Sequence, residues 1–166
     1  VVCGCNMKLS QHFSLSEFTR SDVATRLGID NSPTEEHLAN LKLICEKVLE
    51  PIRSHFNKPV RINSGYRSMA LNTAINPATS TVDRLSKHCL GQAVDFEIDG
   101  VSNYDVASWA KDNLPEYHQV ILEFYVPGQP NSGWVHISYV LGNQKKQVLT
   151  AHKVNGKLTY TPGLLA

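Results

Sequence analysis

Apolar and polar positions along this chain recur with two different periods, and the switches between them outline a mixture of helices and strands. In residues 92–98 the period is two, with Val94, Phe96 and Ile98 on one face and Ala93, Asp95 and Glu97 on the other. Leu38, Leu41, Cys45, Val48, Leu49 and Ile52 recur instead at helical spacing. This predicts a core helix that Ser32 or Thr34 can cap, with Pro33 suited to its first turn. Before it, Ser14 and Glu17 fit a capping box, Leu15 and Phe18 begin an apolar face, and Gly28 marks the end. Residues 60–64 alternate as a strand that Gly65 breaks, and residues 68–75 read as a short helix followed by a polar loop to Lys87. Ser102 with Asp105 caps a helix reaching Leu114.

Two further strand pairs follow. Residues 120–125 and 134–139 flank a loop holding Pro127, Gly128, Pro130 and Gly133, which predicts a hairpin. A symmetric register would set Glu123 directly opposite His136, on the same sheet face. The last hairpin turns at Asn155-Gly156, a type I′ signal, with residues 148–154 and 157–160 as its arms. The expected architecture is α+β: one compact domain with an antiparallel sheet flanked by helices.

Composition narrows the picture. With 166 residues, 42% of them hydrophobic, the chain can bury one sizeable core. Residues 1–6 lack periodicity and are expected to form a flexible lead to a domain at 7–166. A net charge of +1 with scattered Lys and Arg argues against a nucleic-acid surface. No apolar run approaches the roughly 20 residues that span a bilayer, so a soluble protein without a membrane span is expected. The four cysteines (Cys3, Cys5, Cys45 and Cys89) do not make a disulfide framework.

The candidate chemistry is concentrated in Ser86-Lys-His-Cys-Leu-Gly-Gln-Ala-Val-Asp95, which sets His88 and Asp95 seven residues apart across a glycine turn. His136 interrupts the apolar run Trp134-Val-His-Ile-Ser-Tyr139. Two histidines and an aspartate supply three ligands and leave a fourth tetrahedral position for water, the pattern of a catalytic zinc site. The rival reading is two structural histidines and a solvated aspartate. Cys89 adjoins a ligand, but its neighbour in a turn points elsewhere, so a small buried thiol is expected. Glu97 lies one strand step beyond Asp95 and is expected to support the site or face solvent.

These residues carry a resemblance. Ser-x-His-x-x-Gly-x-Ala-x-Asp followed by a strand histidine resembles the LAS-type zinc peptidases, and within them the M15 peptidases of the D-alanyl-D-alanine carboxypeptidase and phage murein type. The resemblance runs from about His12 to Tyr139 and includes Ser64-Gly-Tyr-Arg-Ser68. It implies one Zn2+ held by His88, Asp95 and His136, with Arg67 as a cation facing the substrate, on the oxyanion or on a substrate carboxylate. Endopeptidase and dipeptidase branches carry a catalytic carboxylate three residues before the last histidine, where this chain has Gly133. The hedgehog-like arrangement, with a glutamate on the preceding strand, fits better and makes Glu123 the general base. Ser86, Tyr66 and Trp134 are weaker candidates for binding substrate.

By the same resemblance the substrate is a peptidoglycan stem peptide, cut by a carboxypeptidase or a murein endopeptidase. The expected setting is the cell envelope or periplasm, or a phage-encoded enzyme such as an endolysin acting on the cell wall, with a monomer as the expected state. The alternative from another class is a non-catalytic hedgehog-like zinc module that binds a peptide or protein partner.

Overall fold

The computed structural model describes residues 7–165. The expected lead at 1–6, with Cys3 and Cys5, lies outside the described residues. Helices α1 (Leu15–Thr19) and α2 (Asp22–Leu27) precede a long helical stretch. The capping box holds at α1, where the Ser14 backbone N–H donates to Glu17. Thr34 caps α3 (Glu35–Ile44) by accepting from the His37 backbone N–H. The helix then widens to a π turn over Cys45–Leu49 and continues as α4 (Glu50–Phe56). Pro51 explains the widening: in a regular α-helix its ring would meet the carbonyl four residues back, and it has no N–H to donate.

Among the described residues, six strands form one sheet in the order β1-β2-β4-β3-β5-β6. They are β1 (Arg61–Ser64), β2 (Ala93–Glu97), β3 (Gln119–Glu123), β4 (Trp134–Ser138), β5 (Gln147–Val154) and β6 (Lys157–Pro162). Between them lie α5 (Met69–Ile75) and α6 (Asn103–Asn113). The α+β class stands as expected, but the sheet is mixed where an antiparallel one was anticipated, because β3 and β5 pair in parallel. After β4 the chain crosses back through a loop whose Lys146 and Gln147 N–H groups donate to the Tyr117 and His118 carbonyls, and this lays β5 alongside β3 in the same direction. The final hairpin turns at Asn155 and Gly156, both with positive φ, as a type I′ turn requires.

One face of the sheet is apolar. Val94, Phe96, Val120, Leu122, Val135 and Ile137 pack against Leu41, Ile44, Val48, Leu49 and Ile52 of the long helix and Val106, Ala107 and Ala110 of α6. Each fully buried Leu, Ile or Val contributes about 1.5–3 kcal/mol, so this layer fixes which way each strand faces. The opposite face consequently carries Asp95, Glu123 and His136. Cys45 and Cys89 are buried free thiols. Among the described residues no helix is long and apolar enough to cross a membrane.

Candidate active site

His88 sits in a tight turn, Lys87–Leu90, whose first N–H groups are capped by Ser86; the Ser86 hydroxyl accepts from the His88 backbone N–H. Gly91 ends the turn with φ of 68°, and a Cβ there would lie 2.4 Å from the His37 carbonyl oxygen of α3. The glycine of the motif is therefore required twice, by its left-handed backbone and by the approach of the helix. Asn40 of α3 holds the same turn by donating to the Leu90 carbonyl.

The imidazole of His88 is fixed by a 2.7 Å contact from Nδ1 to the Gly65 carbonyl oxygen. A carbonyl can only accept, so Nδ1 carries the proton and Nε2 presents its lone pair to the site. There it meets Asp95 Oδ2 at 3.3 Å. Asp95 and His136 are direct cross-strand partners on β2 and β4, and Asp95 Oδ1 lies 2.8 Å from His136 Nδ1. One ligand atom from each of His88, Asp95 and His136 lies within 4.8 Å of the others. Donors bonded at 2.0–2.1 Å around a tetrahedral ion are roughly 3.3–3.4 Å apart, so the His88–Asp95 spacing and the nitrogen and oxygen donors fit such an ion.

Glu123 joins this cluster, its Oε1 3.6 Å from His136 Nδ1. The hairpin register differs from the symmetric one: His136 faces Ile121, and Glu123 faces Trp134. The reason is local. Phe124 adopts φ of 57° immediately after Glu123, and Gly133 packs so tightly on the Glu123 carbonyl that a Cβ would lie 2.0 Å from its oxygen. The strand therefore ends at Glu123, and the pairing shifts by two residues. Because side chains alternate with period two, Glu123 keeps its face and reaches His136 diagonally.

Burial raises the Glu123 carboxyl to about 7, against the lowering influence of His136 and Arg67. The Trp134 indole N–H also pulls it slightly downward, yet falls short of a hydrogen bond and is left buried without a partner. On the other side, the lateral row Trp134, Glu123, Ala151, Tyr160 places Tyr160 of β6 one strand beyond the small Ala151, where burial chiefly, and the Glu123 carboxylate in addition, raise its phenol. For Asp95, burial pushes upward, but His88 and His136 outweigh it and hold the carboxyl well below its usual range. Burial holds His88 down, whereas Asp95 and Glu123 overcome burial at His136 and raise it.

Arg67 is close enough to influence His88, His136 and Glu123. Its Nη1 donates to Asn72 Oδ1 at 3.3 Å, its backbone N–H donates to the His88 carbonyl, and its Nε is buried without a partner. Tyr66 lies in the wall of the groove beside Arg67, but it is only 5% exposed, belongs to the core, and shares a 3.0 Å hydrogen bond between its hydroxyl and His37 Nδ1. Glu97 is occupied by Asn63, Asn103 and Arg61.

Sequence reasoning missed Asn31 and Asn72. Asn31 donates to the Thr19 and Tyr66 carbonyls and accepts from the Ser68 N–H, clamping the loop that carries Arg67. Fully buried Asn72 accepts from Arg67 and donates to Thr79 and Ser80. A buried asparagine gives no sequence pattern, although the polar Asn72 on the inner side of a short helix was a signal in principle.

A His–Asp–His cluster beside a carboxylate with a raised pKa, set on the polar face of a sheet, offers donors that could hold a metal ion of the kind hydrolases use. The peptidase M15 family model matches residues 11–138, and the chain belongs to that family, whose members are metallopeptidases. Part of the chain is similar to the peptidoglycan L,D-endopeptidase MepK of Escherichia coli (strain K12) and to the protein of that name in Shigella flexneri. Each is 42% identical over 45 residues, which is 27% of this chain and 25% of theirs. The match thus spans about a quarter of the length of these curated relatives. Strands β5 and β6 lie beyond the span that the family model covers.

Proposed function

We propose that the chain is a zinc-dependent peptidase that hydrolyses bonds of peptidoglycan stem peptides, with His88, Asp95 and His136 as the metal ligands. The observation that carries this reading is the convergence of those three donors with Glu123, 3.6 Å from His136. Bound zinc would polarise the scissile carbonyl and lower the pKa of a bound water toward about 7.

The chain's own groups do the rest. Glu123, with its carboxyl raised to about 7 by burial, takes a proton from the attacking water and returns it to the leaving amine. Arg67 stabilises the developing oxyanion with a permanently charged, planar donor, and Asn72 steadies its guanidinium. Trp134, the cross-strand partner of Glu123, covers one side of its carboxylate. Retention of both Glu123 and Arg67 favours turnover over a non-catalytic zinc module. The groove that continues past Arg67 along β1 favours an endopeptidase, as does the partial similarity to a named L,D-endopeptidase.

Mass spectrometry of defined stem peptides and purified peptidoglycan, with chelator and then with zinc restored, tests this. A mass change that disappears with chelator and returns with zinc is expected. Products indifferent to chelator, or no product from folded zinc-loaded protein, would overturn it.

A further inference from the structure

We propose that the groove along the outer edge of β1 is a subsite for an extended acidic peptide, with Arg20 holding a carboxylate of that peptide on its way to the site. The proposal rests on the peptidase reading above and names the substrate chemistry the site would select.

A cavity of about 520 Å³ runs from the junction of α1 and α2, at Arg20, across β1 to Arg67. It adjoins the catalytic cluster through two residues of its wall: Gly65, whose carbonyl orients His88, and Arg67, whose backbone N–H donates to the His88 carbonyl. Strand β1 lies at the end of the sheet and pairs only with β2, so among the described residues its other edge carries no strand. An exposed edge beside a groove is the arrangement that accepts an extended peptide by strand addition, with backbone hydrogen bonds giving affinity and side-chain contacts giving selectivity.

Charge supplies the selectivity. Three guanidiniums, Arg20, Arg61 and Arg67, line this groove against one carboxylate, Asp22. Arg61 is engaged by Asn63 at 3.0 Å and by two carboxylates, Asp99 at 3.1 Å and Glu97 at 3.4 Å, which fix its position and offset its charge. Arg20 is exposed, and among the described residues it has no ion pair and no side-chain hydrogen bond. The free positive charge of the groove is therefore centred on Arg20. A peptide carboxylate beside it gains a charge-assisted, bidentate partner that a neutral amide does not.

The test compares two synthetic stem peptides that differ only in whether the side-chain carboxylates are free or amidated. The expected wild-type result is a preference for the free acid, in kcat/KM, on the order of two- to fivefold, as for an exposed ion pair. It should weaken as salt is raised. In Arg20→Gln the ratio between the two peptides should fall to about one. Equal cleavage of both peptides by the wild type, or a preference that survives in Arg20→Gln, overturns the subsite. If neither peptide is cut, the functional reading fails, and calorimetric binding of the same two peptides decides the groove: preference for the acid supports it, and equal or absent binding overturns it.

Discussion

His88 is aimed by Gly65: the 2.7 Å hydrogen bond from its Nδ1 to the Gly65 carbonyl fixes both the tautomer and the plane of the ring. Gly65 is itself pressed against α1, where an added Cβ would lie 2.7 Å from the Phe18 Cα. A methyl group at 65 must push the loop off the helix and carry the carbonyl with it. Gly65→Ala is expected to weaken metal affinity by about 10–100-fold, the usual cost of losing a partner that orients a ligand. It should also lower stability by about 1–3 kcal/mol through overpacking. Metal titration alongside denaturant unfolding of the metal-free protein separates the two effects, and an unchanged affinity would remove Gly65 from the site.

Glu123 is held in a setting that favours its neutral form, and this has a cost for the fold. Its carboxyl titrates near its ordinary 4.5 in the unfolded chain and near about 7 when folded. The folded state then binds the extra proton, so this residue's contribution to stability is complete below 4.5 and is lost as pH rises to about 7. Glu123→Gln should therefore make the metal-free protein more stable above pH 7, by about 1–3 kcal/mol. The same variant should keep its metal and lose hydrolysis by at least about 10²-fold, the low end for a general base. Unfolding curves at pH 5 and pH 8, with rates and metal content on the same samples, check both. A variant that is no more stable at pH 8 contradicts the burial argument.

How far the sequence exposes this arrangement depends on the range of the interactions involved. The alternation of residues 92–98 and the stripe from Leu41 to Ile52 report burial directly, and both elements form where the pattern puts them. The clustering of His88, Asp95 and His136 is legible because one short motif contains two of them and strand pairing brings the third. The β3–β4 register is not legible, since it depends on Phe124 turning to positive φ and on Gly133 meeting a carbonyl. Nor is the parallel β3–β5 pairing, which is decided by a loop folding back on Tyr117 and His118. Tyr66 reads as a candidate for binding substrate, and nothing in the sequence shows that its hydroxyl is held by His37, 29 residues away.

Asn31 ties three backbone groups together, at Thr19, Tyr66 and Ser68, and so sets the path of the loop bearing Arg67. Asn31→Ala leaves those buried groups unpaired. The expected loss is about 2–4 kcal/mol from three hydrogen bonds at roughly 1 kcal/mol each plus desolvation. With Arg67 misplaced, kcat should fall more than KM rises, because a contact strengthened in the transition state is the one lost. Asn31→Asp restores the acceptor toward Ser68 but not the two donors, and it should recover little. Full activity in a folded Asn31→Ala protein would show that Arg67 is positioned by other contacts.

Glu50 clamps the start of the domain to α4. One carboxylate oxygen accepts the Ser10 hydroxyl and the His12 backbone N–H, both at 2.7 Å, and the other faces His12 Nδ1 at 2.7 Å. Burial pushes the carboxyl up, but these hydrogen bonds together outweigh it and hold it below its ordinary value of 4.5. The clamp therefore contributes fully above 4.5 and is lost as pH falls through the depressed value. Glu50→Gln should cost about 1–2 kcal/mol at pH 7, where charge-assisted bonds become neutral ones on a partly exposed group. The gap to the wild type should close as pH drops past 4.5, because the wild-type carboxyl is then protonated too. Unfolding free energies of both proteins across that range measure the gap directly. Since the segment lies far from Glu123 in the chain but packs on the same helix as the core, hydrolysis at pH 7 should be unchanged. A gap that stays constant with pH would mean that Glu50 acts through packing alone.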